Sequence, residues 1–367
     1  MKGICIGYRG TEEVMQFEVD ESIGRKSQIE DSAVVFETDD EKDFAKLVYL
    51  GQSFLSVMHL LYSGELKSFE DIGKINFDFS FIKGKKFKVQ CTRVGEHSFS
   101  SVDAAEKLGE KIYESVESSA DMKSPEIIIG MFIINEKCYV GIDYAGIDLS
   151  NRDYRVYLQP ESIKGPLAYF MVRYSGFMPS KVIVDPFCGA GTIPLEAGFF
   201  ATKFPINKFR KSKLHFVKSG LVNEKELEKF DKKKEFKGRI IGMDREVRHV
   251  ENSKKNAKIA GIEKYVEFSR SDIEWFETKF EDDSVDFIVT DAPKESRRMS
   301  EDKVRKIYYW LFHQAKFILK KAGRICVINN SIIEEEANKE GFVVEKKVNV
   351  EKNSQAVEVA AYKKQQP

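Results

Sequence analysis

The stretch that most restricts this chain is Asp185-Pro186-Phe187-Cys188-Gly189-Ala190-Gly191-Thr192. It follows a short apolar run, Val182 to Val184, and leads into a second apolar segment, Ile193 to Phe200, which reads as a helix. Two glycines one residue apart let the backbone turn tightly and leave room for a ligand to approach. A helix that starts there presents free N–H groups at its first turn. The strand–helix alternation then repeats. Arg239 to Met243, Val266 to Ser269, Val285 to Thr290 and Arg324 to Asn329 read as strands, and Val247 to Ala260 and Val304 to Leu319 as helices. Phe342 to Val350 and Ala356 to Tyr362 read as a closing β-hairpin. Repeated βα units predict a doubly wound α/β domain over residues 165–367, with a parallel sheet and a ligand at the carboxyl ends of its strands.

Three acidic residues, each just past a later strand, narrow the ligand: Asp244, Asp272 and Asp291. A carboxylate after the second strand can take both ribose hydroxyls of an adenosine, and one after the third can accept from the adenine amine. Asp291 then falls beside a reacting methyl group. That order suits S-adenosylmethionine. The competing dinucleotide pattern needs GxGxxG with an acidic residue about 20 positions on. Thr192 and Pro194 stand where its third glycine is sought, and Asp244 lies well beyond that spacing. The expected cofactor contacts are therefore Asp185, Pro186, Phe187, Gly189, Ala190, Gly191, Thr192, Asp244, Arg245, Asp272, Ile273 and Asp291.

The first half has a different texture. Residues 1–70 read as a small α/β unit, with apolar runs at Ile4 to Tyr8 and Ser32 to Thr38 and helical spacing from Asp43 to Leu61. A second unit spans 71–150. Lys85 to Thr92 alternates as a strand, Val102 to Val116 reads as a helix capped by Ser100 or Ser101, and Ile127 to Ile134 with Lys137 to Tyr144 forms a hairpin around Asn135-Glu136. Residues 151–164 read as a linker. Lys and Arg number 59, as do Asp and Glu, so any nucleic-acid site must come from local clustering. The start has no apolar run of signal-peptide form, and no segment approaches the roughly 20 apolar residues of a membrane helix. The five cysteines are scattered and never spaced as CxxC, which points to reduced thiols in the cytoplasm and not to a metal site. A monomer is the favoured state.

The glycine stretch, extended through Ile193-Pro194-Leu195-Glu196-Ala197, resembles the corresponding motif of THUMP-domain RNA guanine-N2-methyltransferases, above all the tRNA enzymes acting in the acceptor stem. Phe87-Lys88-Val89-Gln90-Cys91-Thr92-Arg93-Val94-Gly95-Glu96-His97-Ser98-Phe99-Ser100-Ser101 resembles the THUMP signature, and Arg152-Asp153-Tyr154-Arg155 the arginine-rich link after it. The resemblance implies a ferredoxin-like segment and a THUMP module ahead of a Rossmann-like class I methyltransferase, with tRNA as partner. It also implies catalytic roles for Asp291 and Pro293 and RNA contacts at Arg93, His97, Phe99, Arg152, Tyr154 and Arg155.

One position departs from the pattern. The family reads Asn or Asp, Pro, Pro, Tyr or Phe at the reacting loop, and this chain reads Asp291-Ala292-Pro293-Lys294. A flipped base is commonly held by stacking, and a lysine supplies no platform. Phe187, Tyr309 or Phe312 could stack in its place, or Lys294 could serve a different base or an RNA phosphate. A tRNA-binding protein that has lost catalysis is the alternative reading. The stretch from Lys203 to Lys237 carries 12 basic against five acidic residues with interleaved phenylalanines. As an insertion near the mouth of the site, it offers Lys208, Arg210 and Lys211 to RNA phosphates.

Overall fold

In the computed structural model, residues 1–159, 162–297, 299–352 and 355–365 are described. Pro160 and Glu161 of the expected linker lie outside them. The chain forms two compact units.

The first unit comprises Met1–Leu149 and Asn207–Lys229, with a few residues from Glu351 on. Its strands are β1 (Lys2–Ile6), β2 (Ser27–Glu30), β3 (Ala33–Glu37), β4 (Ser56–Glu65), β5 (Lys86–Val94), β6 (Ser119–Ala120), β7 (Ile127–Ile134) and β8 (Lys137–Asp143). They make one eight-stranded sheet in the order β2-β3-β1-β4-β8-β7-β5-β6. Strand β4 pairs antiparallel with β1 on one edge, Ile4 opposite Met58, and with β8 on the other, Met58 opposite Asp143. No break in the sheet therefore separates residues 1–70 from 71–150, and the two cores share residues across that boundary: Ile134 and Tyr139 join the first and Leu66 the second. One core gathers Ile4, Ile6, Val35 and Met58, and the other Ile72, Phe87, Leu108 and Ile129.

Helices α1 (Glu12–Ile23), α2 (Lys42–Leu50) and α3 (Ser101–Ser115) belong to this unit. Helix α3 begins at a reciprocal cap: Ser100 Oγ accepts from the Asp103 N–H at 3.1 Å, and the Asp103 carboxylate accepts from the Ser100 N–H at 2.8 Å. The β7–β8 hairpin turns on Asn135, whose φ of 52° is one that asparagine tolerates well.

Residues 207–229 close this unit. Asn207 Nδ2 donates to the Val48 carbonyl at 2.5 Å, and the N–H groups of His215 and Phe216 donate to Ala145 and Tyr144 at 2.9 and 3.0 Å. Phe216 is fully buried. The sequence suggests an insertion near the mouth of the ligand site; residues 207–229 of it belong to the N-terminal unit, where Leu214, Phe216 and Leu227 are buried.

In the second unit, α4 (Gly165–Tyr174) precedes β9 (Val182–Asp185), α5 (Thr192–Thr202), β10 (Arg239–Asp244) and β11 (Glu267–Arg270). The short helices α6 (His215–Lys218) and α7 (Glu224–Leu227) fall in the segment just assigned to the first unit, and α8 (Val247–Ala260) connects β10 to β11. Then come β12 (Val285–Thr290), α9 (Glu301–Ile318), β13 (Leu319–Ile328), α10 (Ser331–Lys339), β14 (Phe342–Lys352) and β15 (Gln355–Lys364). The sheet order is β11-β10-β9-β12-β13-β15-β14. The first five strands run parallel, and β15 pairs antiparallel with β13. The chain winds outward from β9 to β11, returns to the other side of β9, and winds outward again. This reversal is where an open α/β sheet has a crevice at its carboxyl edge.

Every residue of α5 is buried, as expected of a helix apolar all round. Its one acid, Glu196, is neutralised. Arg152 Nε and Nη2 donate to the two Glu196 oxygens at 2.8 and 3.3 Å, and the Tyr154 hydroxyl donates to Oε1 at 2.7 Å. Both charged side chains of this pair are fully buried.

Candidate active site

The strand reversal opens a cavity of about 480 Å³ within the second unit, a size that suits a small ligand. Four strand ends feed it. Asp185 ends β9, Asp244 ends β10, Asp272 follows β11 and Asp291 follows β12, and all four line the cavity. The expected cofactor residues line it as well, except Gly191, which lies behind the turn. Pro293 and Lys294 also face it.

Gly189 and Gly191 have φ values of 51° and 83°, where a side chain brings strain. A Cβ on Gly191 would come within 2.8 Å of Ser253 Cβ and 3.0 Å of the Phe268 ring. The turn is tied to the neighbouring strand. The Cys188 N–H donates to the Met243 carbonyl at 2.8 Å, and the Gly189 N–H to Asp244 Oδ2 at 3.1 Å. Cys188 is buried, and burial raises its thiol well above the ordinary range. It is an inert packing residue, not a nucleophile.

The four acids have different surroundings. Asp185 is buried, and desolvation pushes its carboxyl up to about 8, helped by the charges of Asp244 and Asp291. The Thr290 hydroxyl and the Phe187 N–H donate to its Oδ1 at 2.6 and 3.1 Å and hold it in place. Asp244 Oδ1 accepts from the Glu246 N–H at 2.9 Å and faces His249 Nδ1 at 3.1 Å. Asp291 Oδ1 stands 3.0 Å from Lys294 Nζ. The loop carrying both is fixed from below: the buried Tyr308 hydroxyl donates to the Pro293 carbonyl at 2.7 Å, and Asn330 Nδ2 donates to that hydroxyl at 3.3 Å.

Of the three aromatics considered for stacking, Phe187 lines the cavity. Phe312 is fully buried against Phe342 and Tyr362 and cannot reach a ligand. Tyr309 packs on Trp310 and His313.

The residues expected to meet RNA fall into two groups. In the first unit, the Arg93 guanidinium lies 5.4 Å from the Phe99 ring centre, and the His97 ring lies at 5.4 Å from the same ring. Arg93 Nε donates to Ser101 Oγ at 3.3 Å, so Arg93, His97 and Phe99 make one cluster where β5 leads into α3. The other expectations need correcting. Arg152 and Tyr154 are buried on Glu196 and present no face to RNA. Arg210 is buried with Nε donating to Asn207 Oδ1 at 2.5 Å, and Lys211 is buried near the Tyr49 ring. Both cations serve the packing of the segment 207–229. Lys208 and Arg155 are half-buried, and Arg155 Nη2 donates to the Ser162 carbonyl at 3.0 Å.

Gln159, Ser162 and His249 line the cavity although no sequence signal singles them out. His249 lies on α8 five positions after Asp244, a spacing that could have drawn attention to it. Among the described residues no group of three or more His, Cys, Asp or Glu could hold a metal ion, and no helix is long and apolar enough to cross a membrane.

The sequence profile of the UPF0020 family (RMKL-like, methyltransferase domain) matches residues 152–358, and that of the THUMP domain matches residues 69–143. The tRNA (guanine(6)-N2)-methyltransferase of Methanocaldococcus jannaschii is 29% identical over 360 residues, covering 93% of this chain and 94% of its own. The protein of that name from Archaeoglobus fulgidus is 28% identical over 279 residues, covering 73% of this chain and 67% of its own. Among solved structures, TrmN from Thermus thermophilus superposes with a TM-score of 0.71 at 17% identity, covering 99% of each chain. SMU.472 complexed with SAH superposes with a TM-score of 0.79 at 20% identity, covering 100% of this chain and 98% of that one. At such identities the likeness to solved structures establishes the fold.

Proposed function

The chain belongs to the UPF0020 methyltransferase family, with a THUMP domain ahead of the methyltransferase domain, and on that premise we propose that it is an S-adenosylmethionine-dependent tRNA methyltransferase acting on the exocyclic N2 of a guanosine. Residues 71–150 serve as the THUMP RNA-binding part and 165–367 as the catalytic part. The observation that carries this reading is the convergence of the glycine turn and four strand-end acids on one cavity. The two archaeal tRNA (guanine(6)-N2)-methyltransferases give the substrate class, and guanosine 6 of the acceptor stem is the first position to test.

The residues present fit the cofactor. Gly189 lines the cavity, and a Cβ there would stand 3.2 Å from Gln159 Oε1; Asp244 would take the ribose hydroxyls, and Asp272 with Ile273 the adenine. When bound, the cofactor supplies an electrophilic methyl group. The protein's task is to bring one nitrogen to it in the right direction, and orientation is where such a site gains most of its rate. Asp291 accepts a hydrogen bond from the guanine N2–H and turns the nitrogen lone pair toward the methyl. Once alkylated, the nitrogen sheds a proton, and the Asp291 carboxylate lies beside it to receive it. The Tyr308 hydroxyl keeps the loop from shifting through its bond to the Pro293 carbonyl. Phe187, at the cavity wall, offers the flipped base an aromatic face.

Mass spectrometry of nucleosides tests the reading. Transcripts of acceptor-stem guanosine tRNAs, incubated with the protein and cofactor, should yield N2-methylguanosine. The same nucleoside should fall in tRNA from cells lacking the protein. Unmethylated transcripts under conditions where a related enzyme acts would overturn it. Calorimetry checks the cofactor half separately. Asp244→Ala should weaken binding by roughly 2–3 kcal/mol, because hydrogen bonds to an ionised carboxylate are lost. Asp244→Asn, which keeps one acceptor oxygen, should lose less.

A further inference from the structure

The segment between the two units keeps an apolar edge in solvent. Val156, Tyr157 and Leu158 are consecutive, and they are 60%, 40% and 44% exposed. Three exposed apolar residues in a row are disfavoured unless something binds them. Their exposure is not slack in the chain. Asn256 of α8 is fully buried and holds the Tyr157 backbone twice: Oδ1 accepts from the Tyr157 N–H at 3.0 Å, and Nδ2 donates to the Tyr157 carbonyl at 3.1 Å. The same Nδ2 donates to the Ala190 carbonyl at 2.9 Å. One asparagine thus fastens this edge to the glycine turn.

Positive charge surrounds it. Helix α8 exposes Arg248, Lys254, Lys255 and Lys258 against the single acid Glu251. Lys255 Nζ lies 5.1 Å from the centre of the Tyr157 ring. Both features border the cavity without lining it. Gln159 lies two positions after Tyr157, His249 lies next to Arg248, and Gln159 and His249 are both in the cavity wall.

Resting on the tRNA reading above, we infer that Tyr157 is where the substrate strand docks: its ring stacks on a nucleotide next to the target guanosine, and Lys255 and Arg248 take the adjoining phosphates. The chemistry of the surface selects that occupant. A ring takes a base of any sequence, and clustered cations take a phosphate backbone. A neutral apolar partner would leave the four cations of α8 without a role. The target base must leave its stack to reach the cavity, which opens a face on its neighbour at the rim. Tyr157 covers that face. A cation over an exposed ring is held weakly, so Lys255 can exchange the ring for a phosphate when the strand arrives.

Fluorescence titration of the full chain with an unmodified acceptor-stem guanosine tRNA transcript tests the inference. Tyr157→Ala should weaken tRNA binding about tenfold, and Tyr157→Phe, which keeps the ring, less than twofold. Lys255→Ala should reduce the slope of log affinity against log salt by about one. Calorimetry with S-adenosylhomocysteine should give wild-type affinity for all three variants, since neither side chain lines the cavity. A Tyr157→Ala chain that binds tRNA as tightly as the wild type, as expected if the edge receives a protein instead, would overturn the inference and leave the tRNA reading intact. Equal losses of tRNA and cofactor-product affinity would also overturn it, because they mark a glycine turn that has lost its shape. A wild-type chain that binds no tRNA would bring down the tRNA reading and this inference with it.

Discussion

Asp291→Ala should lower single-turnover methyl transfer to tRNA on the order of 10²–10³-fold while leaving cofactor affinity nearly unchanged. The loss falls on the transition state, because the carboxylate orients a nitrogen lone pair and meets the charge that develops there. Lys294 should behave differently although it touches the same oxygen. Its ammonium and the carboxylate are 3.0 Å apart, but the lysine side chain is 45% exposed, and pairs in such settings contribute at most about 1 kcal/mol. Lys294→Ala should therefore change the rate by no more than about fivefold. Lys294→Tyr restores an aromatic at the reacting loop. Base stacking is worth about 1–3 kcal/mol, more than the pair it replaces, so transfer should rise. A large fall in Lys294→Tyr would give the ammonium a part in binding the substrate. A small effect of Asp291→Ala would remove that carboxylate from the mechanism.

Glu196→Ala should cost about 3–5 kcal/mol of stability, because it removes the buried carboxylate to which Arg152 Nε and Nη2 and the Tyr154 hydroxyl donate. For a domain of this size that is a drop on the order of 10 °C in Tm, read by differential scanning calorimetry. Crowding leaves no easy escape: a Cβ on Gly165 would already lie 2.6 Å from Arg152 Nε and 2.7 Å from Glu196 Oε1. The double replacement Arg152→Met with Glu196→Met should be less harmful than Glu196→Ala alone, since it buries no uncompensated charge. A double variant as unstable as the single one would show that packing, not charge, dominates at this point.

The contrast between Asp291 and Arg152 shows what the sequence could and could not disclose. The strand–turn–helix at Asp185 to Thr192 is a local pattern, and so are the acids at the ends of later strands, so the doubly wound domain and its cleft were both readable. The capped helix after Ser100 and the turn at Asn135 were readable for the same reason. Arg152 was not. A cation in a polar stretch reads as exposed, and its partner Glu196 lies 44 positions on, inside a helix whose composition gives no hint of a buried pair. Arg210 and Lys211 misled in the same way, since net local charge says nothing about which side chains turn inward. Phe312 looked available for stacking because periodicity identifies the inward face of a helix but not what that face meets.

The return of residues 207–229 to the N-terminal unit bears on how the protein is made. The ribosome finishes the sheet of that unit with residue 143, yet the covering that buries Phe216 and engages Val48 emerges only after the glycine turn and α5 have been synthesised. The first half thus leaves the exit tunnel with that surface still uncovered. A gene fragment ending at residue 149 would encode a protein that lacks part of its own interior. Recombination that exchanged the two halves at that boundary would carry the same defect, so descent is expected to have kept them together as one inherited piece.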